Sequence, residues 1–364
     1  MRTALVILAV VLMVGGVVAP VSAADSNASS ADINIECEYP VTVEDATGTE
    51  ITVEEPPDRV VTTNPSAAQV MWEIGAFERV VGLTEWALYL DGAEDRELIS
   101  SNDEPIVRER VVDLEPDLIL APNATETETV EQLREVGLTV YHFPMAEDLD
   151  DVSEKTAVIG ELAGECEGAE ETLDWMDERL SIVEDAVEGE ERPTALYMFF
   201  DFTVGSETFI NELIEFAGGE NVAAEAGIVG FQPISEEVVI DEDPEWIILN
   251  SDDPALPDTD AVNQTTAAQE DQVVIVEIEH LNQPAPRNVL AITTLVEHFH
   301  PEAFAEAEEA AIADDATDDL EEADDADGTE SETVADEDDT IPGFGPVIAL
   351  VAMLGAALWL RKIR

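Results

Sequence analysis

The chain has 364 residues, 85 of them acidic and 14 basic, for a formal net charge of -71 at pH 7. Phosphate recognition needs Lys and Arg, so this balance excludes a nucleic-acid partner. Self-repulsion on this scale destabilises a folded chain in dilute buffer, and molar salt removes it by cutting the Debye length to about 3 Å, so the composition is that of a protein from a high-salt environment.

Residues 1–23 combine Met1-Arg2-Thr3, an apolar run from Ala4 to Val21 and the small-residue end Val21-Ser22-Ala23. That is the layout of a secretory signal peptide cut after Ala23, with residues 24–39 as a flexible leader. Outside the cell two cysteines pair, so a disulfide between Cys37 and Cys166 is expected. Asn27, Asn123 and Asn263 head N-x-[ST] sequons and are glycosylation candidates.

Residues 40–147 read as a first α/β lobe. A hairpin over 40–53 turns at Asp45-Ala46-Thr47-Gly48. Strands follow at 59–63, 80–83, 118–121 and 138–143, with helices at 67–74 and 126–136 between them. Such alternation predicts a largely parallel sheet. Ligands of open α/β sheets bind at the carboxyl ends of the strands. The loops there are 63–66, 84–89, 122–125 and 143–146, and Trp86 and Tyr89 offer aromatic faces in one of them.

Residues 148–190 keep helical apolar spacing around a break at Gly164–Gly168, which predicts one long helix or two consecutive ones bridging the lobes. A second lobe covers 191–301. Its strands are expected at 194–200, 246–249 and 273–276, and its helices at 208–217, 236–240, 261–268 and 289–298. Residues 201–206 read as a loop and 221–230 as a turn-rich connection. The run VVDLEPDLILAPN at 111–123 is echoed by VIDEDPEWIILN at 239–250, which suggests two similar lobes.

Residues 302–340 are rich in Ala, Glu and Asp and read as an extended acidic linker. An apolar run at 341–360 is long enough to cross a bilayer, and Arg361-Lys362-Ile363-Arg364 would keep its end cytoplasmic. No nucleophile elbow, phosphate loop, HExxH or CxxC motif is present, so no enzyme activity is expected. His142, His280, His298 and His300 are scattered, and neither a metal site nor a cofactor is expected.

Four stretches carry a resemblance: RVVTTNPSAAQVMWEIGAFERVVGLTE at 59–85, VVDLEPDLILAPN at 111–123, FINELIEFAGGENV at 209–222 and PISEEVVIDEDPEWIIL at 233–249. With PAPRNVLAI at 284–292, their order resembles the class III substrate-binding proteins of ABC importers, the vitamin B12, haem and siderophore type. The resemblance implies two Rossmann-like α/β lobes with central sheets, a long rigid helix joining them and a ligand cleft between them. It also implies partners, an ABC permease and its ATPase. One acidic residue per lobe would dock on permease arginines. The matching positions are Glu237 in the second lobe and Glu128, or else Glu126, in the first.

Within that family Trp86, Phe202 and Phe231 match cleft positions, Arg287 is one of few basic candidates there, and Tyr89 shares the Trp86 loop. Scarce basic residues and several aromatics resemble the cobalamin-binding members, where aromatic side chains hold the corrin. An iron-siderophore or haem is the alternative ligand, and an anchored structural or adhesive surface protein is the alternative class. Pro342-Gly343-Phe344, the apolar run and the basic end resemble the PGF-CTERM sorting signal. That resemblance implies archaeosortase cleavage and a lipid anchor outside the membrane; a plain transmembrane anchor is the other reading.

Overall fold

The structure is a computed structural model that describes Ile33 and residues 35–325. The signal peptide, Asn27 and the terminal segment with Pro342, Gly343 and Phe344 lie outside the described residues. The chain divides into two units, Met1–Ala313 and Asp314–Arg364, and both lobes belong to the first.

A hairpin of β1 (Val41–Glu44) and β2 (Glu50–Val53) opens the first lobe. The buried Asp45 carboxylate fixes its turn. It accepts from the Thr47, Thr49 and His142 backbone N–H groups and pairs with Arg134. Burial raises the Asp45 pKa, but these hydrogen bonds and that of the Thr47 hydroxyl outweigh it and hold the carboxyl at about 2.

The first sheet has five parallel strands: β3 (Val60–Thr62), β4 (Val80–Leu83), β5 (Glu97–Leu98), β6 (Leu118–Ala121) and β7 (Val140–His142), in the order β5-β4-β3-β6-β7. Helices α1 (Pro65–Glu73), α2 (Arg108–Asp113) and α3 (Thr127–Glu135) connect them. Successive strand residues face opposite ways. Leu118 and Leu120 join Val60 and Met71 in one core, whereas Ile119 and Ala121 join Val61 and Val140 in another. Burial on both faces is why this strand is an unbroken apolar run.

The expected bridge at 148–190 is two helices, α4 (Leu149–Ala163) and α5 (Cys166–Val187). They fold back on each other at Gly164, which sits in the left-handed region at φ 74°, so that Gly160 meets Ala169. Each runs between the lobes: Ile159 and Ala169 lie in the first-lobe core, Leu149 and Ile182 in that of the second. With 22 residues α5 is about 33 Å long. A Cβ on Gly168 would collide with the Ile74 carbonyl just past α1, so α5 presses directly on first-lobe backbone. Cys37 and Cys166 form the expected disulfide, with a Cα–Cα distance of 6.0 Å. It spans 129 residues, and on the chain-entropy account such a closure stabilises by about 5 kcal/mol.

The second lobe contains β8 (Thr194–Tyr197), β9 (Phe202–Val204), α6 (Phe209–Phe216), β10 (Glu220–Asn221), α7 (Val222–Glu225), β11 (Phe231–Pro233), α8 (Glu236–Glu242) and β12 (Trp246–Asn250). After these come α9 (Thr266–Glu270), β13 (Val273–Val276), α10 (Ile278–Leu281), α11 (Asn288–Phe299) and α12 (Pro301–Asp325). Its parallel sheet has the order β10-β8-β12-β13 and is again buried on both faces, Tyr197 and Ile248 on one, Leu196 and Ile247 on the other.

Two expectations are corrected here. Residues 201–206, read as a loop, contain β9, which exists only by antiparallel pairing with the distant β11. The acidic stretch from 302, read as an extended linker, begins as α12. Phe304 is buried, and Ala307 and Ala311 follow it at helical spacing on the second-lobe core.

Candidate ligand-binding cleft

In the first sheet the chain runs outward from β3 to β5 and then restarts at β6 on the other side of β3. The loops after β3 and β6 therefore diverge and leave a crevice between them. A cavity of about 980 Å³ opens there. The first lobe lines it with Asn64–Ser66, Pro122–Ala124 and Pro144–Glu147, the segments after β3, β6 and β7. Three of the four loops expected at the ligand thus reach it, and the Trp86 loop does not. The second lobe contributes residues 207–212 at the start of α6, then Gly230, Phe231 and residues 281–284.

The loop into α1 is held by local capping. Asn64 caps the helix by accepting from the Ser66 N–H at 2.9 Å, and Pro65 stands in its first turn. Thr125, behind Asn123, is buried with its hydroxyl 2.7 Å from that of Thr63, which ties the two first-lobe loops together. Glu207 borders the cavity at φ 59°, a left-handed conformation that a non-glycine residue adopts only under constraint.

The expected aromatics separate. Phe231 lines the cavity and is 58 % exposed. Trp86, in the turn after β4, is 53 % exposed, and Phe202 on β9 is 45 % exposed; neither is among the lining residues. Tyr89 and Arg287 stand behind the wall. The Tyr89 hydroxyl donates to Gln283 Oε1 at 3.0 Å and accepts from Gln69 Nε2 at 2.8 Å. Burial pushes this phenol up to about 12. Arg287, matched to the cleft as one of its few cations, instead pairs with Glu73 at 2.7 Å and lies over the Tyr89 ring at 6.0 Å. Its backbone N–H donates to Gln69 Oε1 at 2.9 Å. Together these bonds lace the 283–287 segment of the second lobe onto α1 of the first, and Ala285 is buried in the first-lobe core.

Sequence reading missed the charged lining: Lys155 from α4, with Glu147, Glu207 and Glu212. Burial, followed by Glu215, Asp148 and Asp150, raises the Glu212 pKa. Of the sequons, Asn123 sits exposed on the cavity wall, and Asn263 is exposed elsewhere and donates to Asp258. Of the docking candidates, Glu126 is the residue preceding α3, Glu128 lies in its first turn and Glu237 in the first turn of α8; all three are exposed.

Residues 60–277 match the model of a family described as periplasmic binding protein. The chain belongs to this family. A periplasmic binding protein carries a solute rather than transforming it, and the cleft between two lobes fits that task. A cobalamin-binding protein of Halobacterium salinarum is 41% identical over 286 residues, 75% of this chain and 78% of that protein. Among solved structures, the periplasmic vitamin B12 binding protein of Vibrio cholerae aligns with a TM-score of 0.60 and 21% identity, covering 70% of this chain and 98% of that one. The periplasmic heme-binding protein of Roseiflexus sp. RS-1 aligns with a TM-score of 0.61 and 23% identity, covering 68% and 99%. At these identities the two structures speak for the shared fold: two lobes joined by a long helix. Residues 341–363 match the PGF-CTERM motif, the mark of a secreted, surface-anchored protein.

Proposed function

We propose that this chain is the binding protein of an ABC importer, that it captures cobalamin between its lobes, and that it delivers it to a membrane permease powered by an ATPase. The observation that carries this reading is the 41% identity to a cobalamin-binding protein over three quarters of both chains. The cleft supports it on physical grounds. A cavity of about 980 Å³ lies at the top of the usual small-ligand range, so the ligand is large. Phe231, Phe209, Ile210, Met145 and Leu281 give it an apolar lining for a macrocycle. Three glutamates against one lysine disfavour haem with its two propionates and anionic ferric siderophores.

Titration with cyanocobalamin in molar KCl is expected to show one saturable site at micromolar concentration or below. Phe231→Ala is expected to weaken it about three- to tenfold, the worth of one aromatic contact beyond area burial. Saturable binding of haemin or a ferric siderophore, with no response to cyanocobalamin, would replace this reading.

The protein works on the outer face of the membrane, held by its C-terminal segment. Archaeosortase cuts near Pro342-Gly343-Phe344 and a lipid replaces the apolar run. Intact mass of the mature protein is expected to show the loss of that run plus a lipid; a mass that retains residues 345–364 identifies a transmembrane anchor instead.

A further inference from the structure

Among the described residues Lys155 is the one cationic side chain that lines the cleft. The sequence has two lysines, and this is the only one among the described residues. Its Nζ donates to Ser66 Oγ at 2.8 Å and to the Pro284 carbonyl at 2.8 Å. Both acceptors are uncharged. An ammonium has three N–H donors, so one remains uncommitted. Among the described residues no ion pair forms on Lys155, in a chain where carboxylates outnumber cations 85 to 14. Glu147, Glu207 and Glu212 line the same cavity without pairing with it.

A half-buried cation with no counter-charge is costly, and a methionine would fill the same space without that cost. Burial pushes the ammonium down to about 7. Nor is this an amide cradle at the start of α1, because Pro65 has no N–H and the Ser66 N–H is taken by Asn64. The positive charge offered to a ligand is that of Lys155.

We infer that Lys155 is the seat of a ligand oxyanion and that, on the cobalamin reading on which this rests, it receives the phosphodiester of the nucleotide loop. The Ser66 hydroxyl accepts from the ammonium and keeps its own hydrogen for the same oxyanion. The three glutamates set the complementary rule: one negative group is accepted at Lys155, and further negative charge is repelled. A complete corrinoid meets both conditions, since its single phosphodiester is balanced by the charge at cobalt.

The test compares cyanocobalamin with cyanocobinamide, which lacks the phosphate and nucleotide, in molar KCl at pH 6.5. In Lys155→Met, cobalamin affinity is expected to fall about ten- to a hundredfold, the worth of a charge-assisted hydrogen bond, while cobinamide, which keeps the charge at cobalt but has no phosphodiester, binds no more weakly than before. Retained cobinamide binding also shows that the variant cleft is folded. Equal losses for both ligands would make Lys155 a strut between Ser66 and Pro284, and no loss for either would remove it from the site; both overturn the inference.

A second arm uses the unaltered protein. The oxyanion binds the protonated amine, so cobalamin affinity is expected to be flat below pH 7 and to fall up to tenfold per unit above it, with cobinamide unchanged. Glu147, Glu207 and Glu212 share the cleft wall with the amine, Asp151 lies one turn before it on α4, and Glu73, Glu279, His280 and Arg287 neighbour the 283–287 segment that accepts its bond. None of them responds to the phosphodiester as a counter-charge, so parallel pH profiles overturn the inference. Unaltered protein that binds neither corrinoid overturns the cobalamin reading, and the phosphodiester assignment with it.

Discussion

Charge reversal at Glu128 and Glu237 together, to Lys at both, is expected to reduce cobalamin uptake to background while leaving the affinity of the purified protein unchanged. Glu128 lies in the first turn of α3, just beyond Asn123 and Ala124 on the first-lobe wall. Glu237 lies in the first turn of α8, just beyond Phe231 on the second-lobe wall. Each lobe thus offers an exposed carboxylate, among others, next to the cleft and outside its lining. Glu128 accepts from Gln132 Nε2 at 3.1 Å, one turn on, which orients it without neutralising it. On a permease face bearing arginines, reversal replaces attraction with repulsion at both contacts. Like-charge juxtaposition costs several kcal/mol. High salt weakens exposed pairs, so single reversals are expected to give only partial loss. Uptake by cells lacking the native protein, set beside in vitro titration, separates delivery from capture. Normal uptake by the double variant, or a parallel loss of affinity, would move the docking face elsewhere.

What could be read in advance followed the local physics. The strand at 118–121 was legible because a sheet buried on both faces leaves an unbroken apolar run, and α1 because Pro65 and Ser66 suit a helix start. Export predicted the disulfide. Apart from Phe231, the site was legible where a strand end projects its own loop into the crevice, as at 64–66 and 122–124. Tertiary placement decided the rest. Lys155 is one polar position on a long amphipathic helix, and only the approach of Ser66 and Pro284 from the two lobes gives it a role. Arg287 was taken for a cleft cation because cations are scarce, yet Glu73 had already claimed it. Composition counts charges and does not say which neighbour each one meets. Strand β9 was hidden for a similar reason, since its partner lies across α6, β10 and α7.

Removing salt is expected to unfold the protein, with the α4–α5 pair loosening first. A net charge of -71 repels itself over about 10 Å at 0.1 M salt and over only about 3 Å at 1 M. Repulsion is concentrated on that pair. Burial, then Asp148 and Asp151, raise Asp150; burial, then Asp174 and Asp150, raise Asp177; burial, then Asp185 and Asp177, raise Glu184. A carboxyl whose folded pKa is raised destabilises the fold when ionised. Its penalty disappears as pH falls through that raised value and is gone below the unfolded value of about 4. Asp45 has the opposite sign. Its carboxyl is held at about 2, so its contribution is present above about 4 and is lost as pH falls toward 2. In 0.1 M salt, stability is therefore expected to rise from pH 7 to about 4.5 and to collapse below about 3. In 3 M KCl the rise shrinks, because screening removes the repulsive part and leaves the part due to burial, while the collapse remains, because the Asp45 network is buried. Thermal unfolding followed by near-UV circular dichroism across pH and KCl checks both limbs. A melting temperature independent of salt at pH 7 would show that the carboxylate excess is tolerated without screening.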